Sequence, residues 1–435
     1  MTMRNTQSRR QFLTSGAVSL AAPYFVSSRV LGADAVPPSE KIVMGAIGTG
    51  GQGMGMMNAH MGQTDVQYVA VCDVYANHRN RARDAVNAKY GNRDCQAFAD
   101  FRELLARDDI DAVTVTTPDH WHALCSVAAA NAGKDVYCEK PLANSIGEGR
   151  AIVAALKTNK RILQTGSHER SGGNARFACE LVRNGRIGKL HTIRVNLPCS
   201  DGHHQVAQQL KEVPPEEAVP AGFDYDFWLG HTPPAPYTPR RCHFWWRFNL
   251  AYGGGEMTDR GAHVIDIAQL GGGFDDTGPI KITAKGVQNE KSIYNTWWDY
   301  TFENEFTGGV TMTGSANGPR GVKFEGDKGW VFVHIHGGRL EAEPATLLQE
   351  KIGEDEIQLG RSPGHQRNFI DCVKSRQQPV AAAEIGHRTA SICHLNNIAM
   401  ALGRTLQWDP QAETFKDDNE ASGLITPEMR SPWTL

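Results

Sequence analysis

The stretch VMGAIGTGGQGMGMM, residues 43–57, constrains this chain more than any other. An apolar run with strand character enters a glycine cluster, Gly48-Thr49-Gly50-Gly51-Gln52-Gly53, that has G-x-G-x-x-G spacing. Glycine is needed at such a turn for three reasons: the turn is tight, the backbone must come close to a pyrophosphate, and the following helix must pack against the strand while its first N–H groups point at the phosphates. Asp73, 20 residues beyond Gly53, closes the next strand-like run. A carboxylate there accepts hydrogen bonds from ribose hydroxyls and repels a 2′-phosphate, so the turn predicts a bound NAD rather than NADP. Arg79 is the side chain best placed to reverse that preference.

From Lys41 to about Gln164 the apolar runs Ile42–Ile47, Tyr68–Cys72, Ala112–Thr116, Val136–Cys138 and Ile162–Gln164 alternate with helical patterns. That is βαβ repetition, and it predicts an α/β Rossmann dinucleotide-binding domain over residues 40–165. The second half has a different pattern. Helical spacing near Phe177–Asn184 gives way to alternating polar and apolar runs at Leu190–Leu197, Ile280–Gly286, Asp299–Phe306, Gly309–Thr313, Val322–Phe324 and Trp330–His334. These predict an α+β second domain over 166–405 with a large open, mostly antiparallel sheet, two late helices near 366–375 and 386–402, and a tail over 406–435. Residues 198–250, rich in Pro, His and aromatics, read as a long functional loop.

The first 35 residues carry Ser8-Arg9-Arg10-Gln11-Phe12-Leu13, a weakly apolar stretch and Ala33-Asp34-Ala35. They read as a twin-arginine signal peptide with a small-x-small cleavage site, which predicts export to the periplasm or beyond. Without that segment the chain holds 41 basic against 47 acidic side chains, and such a balance excludes a nucleic-acid partner on charge grounds. The longest apolar candidate, Gly16–Val26, is broken by Ser19 and Pro23, so no stable membrane insertion is expected. Nine cysteines, none in a C-x-x-C pair, are expected to be mostly free and buried.

Thr116-Thr117-Pro118-Asp119-His120-Trp121-His122 follows the fourth strand, and Cys138-Glu139-Lys140-Pro141-Leu142 follows the fifth. Both lie at the carboxyl edge, where open α/β sheets bind ligands. Together these landmarks resemble the Gfo/Idh/MocA oxidoreductases, and the resemblance extends over about residues 40–405. It implies that Lys140 lies beside the nicotinamide and the substrate hydroxyl, with Thr117, His120, His122 and Glu139 along the cofactor. An ammonium at that place polarises the oxygen being oxidised.

In the second domain, Gly253 to Asp266 contains Asp259 and His263, four apart and therefore on one face if helical. The family is similar here, with a D-x-x-x-H pair facing the sugar. His263 is then the expected general base, because an imidazole titrates near working pH, and Asp259 the expected partner of substrate hydroxyls. No third ligand with convincing spacing accompanies the pair, so no metal is expected. Trp245 and Trp246 offer flat apolar faces to a sugar ring, with at most one of them on the substrate. Arg170, after the last Rossmann strand, is a further pocket candidate, and His168 shares that position.

A nicotinamide cofactor is scarce outside the cytoplasm, so export predicts one that stays bound and is restored within each catalytic cycle. The expected function is therefore an exported nicotinamide-dependent oxidoreductase of a sugar, glycoside or cyclic polyol. A glycoside hydrolase working by oxidation, elimination and re-reduction is the alternative, and a non-catalytic sugar- or nucleotide-binding protein is the contrasting class. A sheet with an exposed face predicts a homo-oligomer, dimer or tetramer.

Overall fold

The computed structural model describes residues 36–435. The twin-arginine segment lies outside the described residues. Six parallel strands form the first sheet in the order β3-β2-β1-β4-β5-β6: β1 is Ile42–Ile47, β2 Val66–Cys72, β3 Gln96–Phe98, β4 Ala112–Val115, β5 Asp135–Cys138 and β6 Leu163–Thr165. Every residue of β4 and β5 is buried, as a sheet covered by helices on both faces requires. The strand order reverses between β1 and β4, so the carboxyl ends of these two strands open a crevice.

The glycine turn sits in that crevice. Gly48 has φ of +82°, and a Cβ on it would lie 2.7 Å from the Thr117 nitrogen. A Cβ on Gly53 would lie 2.2 Å from the Gly48 carbonyl oxygen. Both positions therefore demand glycine, whereas Gly50 and Gly51 face open space. The helix Gly51–Met61 starts there with no side chain capping it, which leaves its first N–H groups free for an anion.

The second sheet has nine strands in the order β13-β12-β11-β7-β10-β9-β8-β14-β15. Here β7 is Leu190–Asn196, β8 Lys281–Val287, β9 Trp298–Glu305, β10 Thr311–Ser315, β11 Gly321–Gly326, β12 Gly329–His334, β13 Leu340–Glu343, β14 Leu406–Asp409 and β15 Thr414–Phe415. Only the β7–β10 pair is parallel. One face packs against the helices Gly173–Arg183, Gly261–Gly272 and Ala383–Leu402 through residues such as Cys179, Ile193, Val264, Phe324 and Ile392. The other face carries Arg194 paired with Glu325, Lys281 with Glu305 and Lys323 with Glu325. This face is rich in charged side chains paired along and across its strands.

The stretch 406–435 is not a tail. β14 pairs with β8 near the sheet edge, and the chain then returns to the first domain, where Trp433 packs edge-on to Trp121 at 4.9 Å, while Arg430 bonds the Gly230 carbonyl of the second domain. The halves are further joined by Arg150, which holds Glu384 and Glu413 at 2.7 Å each, and by His365, whose ring contacts the Thr165 carbonyl at 2.9 Å. All nine cysteines are free and buried.

Candidate active site

One cavity of about 640 Å³ runs from the glycine turn across the carboxyl edge to the second domain. At the near end its wall holds Gly48, Gly50, Gly51, Gln52 and Gly53 with Asp73, Tyr75 and His78. Asp73 is fixed by the backbone N–H groups of Thr49 (2.8 Å) and Tyr75 (2.9 Å). Thr49 thus holds Asp73 in place and does not itself line the cavity. Arg79 donates to the Asp73 carbonyl oxygen at 3.0 Å, which turns its charge toward the backbone.

Midway lie Thr116, Thr117, Asp119, His122, Glu139 and Lys140. Gln52 donates to Glu139 at 3.1 Å and so ties the glycine turn to the fifth strand end. The Thr117 hydroxyl is buried without a partner, which a bound cofactor would satisfy. His122 spans the Pro141 carbonyl (2.7 Å) and the Thr117 carbonyl (3.0 Å), so it braces two loops and lines the wall with its ring. His120 does not reach the cavity. Its Nε2 meets the Trp228 carbonyl at 2.9 Å, and its ring is packed among Trp228, Tyr252 and His231.

Lys140 Nζ lies 2.5 Å from Asp259 Oδ1 and also donates to the Asp259 carbonyl at 3.2 Å. Burial works against the Lys140 charge, but Asp259 and Glu139 outweigh it and hold the ammonium above its ordinary range. Burial likewise opposes the Asp259 charge, and Lys140 and Arg247 outweigh it, so the carboxyl stays well below the usual carboxylate range. The pair therefore enters the pocket already charged on both sides. Arg247 stands 3.6 Å from the other Asp259 oxygen and stacks on Trp246 at 4.5 Å.

The helix Gly261–Gly272 begins after Asp259, so Asp259 and His263 do not share a helical face. His263 points instead to His168 and His336, at ring separations of 4.6 and 4.8 Å. Its Nδ1 is buried without a partner. Burial, reinforced by Lys140, His168 and His336, drives its pKa well below the ordinary imidazole value. Such a ring is held neutral, with a lone pair to offer.

Other expectations are corrected by the geometry. Arg170, its side chain only 3% exposed, is engaged with Asp266 and Asp275 at 2.7–2.9 Å, so none of this bonding faces the cavity. Trp245 lies away from the wall, stacked on Tyr294 at 5.9 Å with Arg240 over its other side; Trp246 lines the cavity. Asp119, Arg247 and His336 also line it and were not singled out from the sequence. Asp119 is buried, and burial raises its carboxyl well above the ordinary value despite Lys140.

Comparison with known proteins agrees with this layout. Residues 42–167 match the oxidoreductase-family NAD-binding Rossmann fold, and residues 175–435 match the oxidoreductase-family C-terminal alpha/beta domain. The chain belongs to the Gfo/Idh/MocA oxidoreductase family. Among Gfo/Idh/MocA relatives, glycosyl hydrolase family 109 protein 2 of Shewanella sp. (strain ANA-3) is 29% identical over 227 residues, 47% of this chain and 48% of that protein. Inositol 2-dehydrogenase of Salmonella paratyphi B is 32% identical over 157 residues, 35% of this chain and 43% of that protein. The chain thus spans less than half the length of these relatives. The fold is shared with the aldose-aldose oxidoreductase of Caulobacter crescentus complexed with glycerol (TM-score 0.60, 20% identity, 84% of this chain and 99% of that one). It is shared also with the WlbA dehydrogenase of Bordetella pertussis in complex with NADH and UDP-GlcNAcA (TM-score 0.61, 17% identity, 85% and 99%).

Proposed function

We propose that this chain is a nicotinamide-dependent oxidoreductase that oxidises a hydroxyl of a sugar, glycoside or cyclic polyol. The observation that carries this reading is the continuity of one cavity from the glycine turn to the Lys140–Asp259 ion pair. The near end suits a dinucleotide: an uncapped helix start for the pyrophosphate and Asp73 for the ribose. A bound nicotinamide supplies the hydride acceptor. Lys140 stabilises negative charge that develops on the substrate oxygen, Asp259 keeps Lys140 charged and placed, and His263 lines the same end of the cavity. Trp246 gives a sugar ring an apolar face, stiffened by the Arg247 guanidinium stacked on it.

NAD is favoured over NADP by Asp73 in the wall and by the turning of Arg79 onto a backbone carbonyl. Asp73→Ala is expected to weaken NAD binding by about 1.5–3 kcal/mol, roughly ten- to a hundredfold in Kd, with less effect on NADP. Calorimetric titration of both nucleotides checks this, and an unchanged ratio of the two affinities would count against the assignment.

The name of the Shewanella relative supports glycoside cleavage as a second reading. Oxidation of the sugar acidifies the neighbouring C–H, elimination releases the aglycone, and addition of water followed by re-reduction restores the nicotinamide. Incubation with glycosides in deuterated water separates the two: cleavage places deuterium on the carbon between the anomeric and oxidised centres, and simple oxidation leaves that position protonated. Export through the twin-arginine route, with cofactor loaded before translocation, is part of the same proposal; it rests on the sequence of residues 1–35 and is checked by fractionating cells that express the full chain.

A further inference from the structure

Three imidazoles from three distant parts of the chain meet at the second-domain end of the cavity. His168 follows β6, His263 lies in the first turns of the helix Gly261–Gly272, and His336 sits in the turn between β12 and β13. One nitrogen from each lies within 4.8 Å of the others, and all three rings line the cavity. His263 is 4% exposed, and its Nδ1 has no partner; a buried nitrogen without a partner is costly unless something occupies the space before it. His336 has φ of +66°, a conformation uncommon outside glycine, and its N–H is bound by Glu169 at 3.0 Å. Glu169 also lies 3.5 Å from His168 Nε2, so one carboxylate holds the His336 backbone and faces the His168 ring, the latter contact being of the kind carboxylates make around metal-bound imidazoles.

The geometry points to a divalent-cation site formed by His168, His263 and His336, with its open coordination position facing the substrate end of the cavity. Three neutral nitrogen ligands favour a late first-row ion such as Zn²⁺ or Co²⁺ over Mg²⁺ or Ca²⁺, which take oxygen ligands. Bonds of about 2.0–2.1 Å place tetrahedral nitrogens roughly 3.3 Å apart, so the rings must close by up to about 1.5 Å. His168 and His336 are exposed and can rotate, while His263 is fixed by its helix. Charge does not forbid a cation, because Lys140 is neutralised by Asp259 and Glu169 adds a negative group.

Three protein ligands with a vacant corner is the arrangement of a catalytic rather than a structural ion. An ion there draws electron density from a coordinated hydroxyl or carbonyl oxygen and makes the hydroxyl more acidic, with its proton passing to water in the cavity. The role toward a sugar oxygen rests on the function proposed above; the binding of the ion does not.

The test uses untagged full-length protein stripped with a chelator and titrated with Co²⁺. The expected result is one tight equivalent per chain with the intense visible bands of a four- or five-coordinate ion, displaced by Zn²⁺. His168→Gln and His336→Asn, both at exposed positions, should each weaken that equivalent at least tenfold while circular dichroism stays unchanged. Absence of the bands, or equal Co²⁺ binding by wild type and both variants, would overturn the site. NAD binding is measured on the same samples: NAD without cobalt sinks the metal site alone, and cobalt without NAD sinks the oxidoreductase reading alone.

Discussion

Lys140→Ala is expected to lower sugar-dependent reduction of the nicotinamide by about 10²–10⁴-fold while the protein continues to bind the nucleotide. The ammonium is presented to the cavity by a backbone carbonyl and a carboxylate of the opposite domain, so its position is fixed before substrate arrives. A fixed charge in a site sheltered from water stabilises a developing alkoxide at no further cost in reorganisation. The Asp73 end of the cavity is untouched by the substitution, which is why nucleotide binding survives. Arg247, 3.6 Å from the freed carboxylate, limits the loss of stability. Retention of turnover within a few-fold would show that Lys140 only anchors its loop; loss of turnover with intact binding also separates an enzyme from a sugar- or nucleotide-binding protein.

The second large effect is on stability. Arg170→Met should destabilise the fold by about 3–5 kcal/mol, because it removes one member of a buried ion cluster and leaves the other uncompensated. Asp266, 1% exposed, takes two bonds of 2.8 Å from the Arg170 Nε, and Asp275 takes two more from the fork. Methionine matches the apolar stem but offers Asp266 no donor, and Thr389, 3.1 Å from Asp266, cannot replace a cation. A denaturant midpoint for the variant checks this. Had Arg170 been a substrate contact, the same change would spare stability and raise KM.

These two residues also show how far the sequence could be read. Lys140 was visible because it follows a short buried strand whose apolar period is strong, and the resemblance gave its neighbours meaning. The first sheet was legible for the same reason, since strands buried on both faces carry continuous apolar runs. Arg170 occupies the analogous place after β6, yet its side chain turns inward to Asp266 and Asp275, partners far away in the chain that no local pattern points to. The strands β3, β13 and β14, of three to four residues, are too short to show alternation, and missing β14 made 406–435 look like a tail. The histidine trio escaped because its members come from three distant segments, and spacing within one segment pairs His263 only with Asp259. The clue was HIHGG at residues 334–338, where a histidine directly before two glycines marks a turn that can carry it to a distant site.

The meeting of nicotinamide and sugar in the cavity between Lys140 and His263 is what the proposed function stands on. Its most direct test is to purify the protein without added cofactor, record the near-ultraviolet absorbance, supply NAD or NADP where none is bound, and add a panel of sugars, glycosides and cyclic polyols. The expected result is a bound nicotinamide whose reduced-form absorption appears with at least one polyol and does not appear in Lys140→Ala. A protein that binds neither NAD nor NADP under these conditions would contradict it.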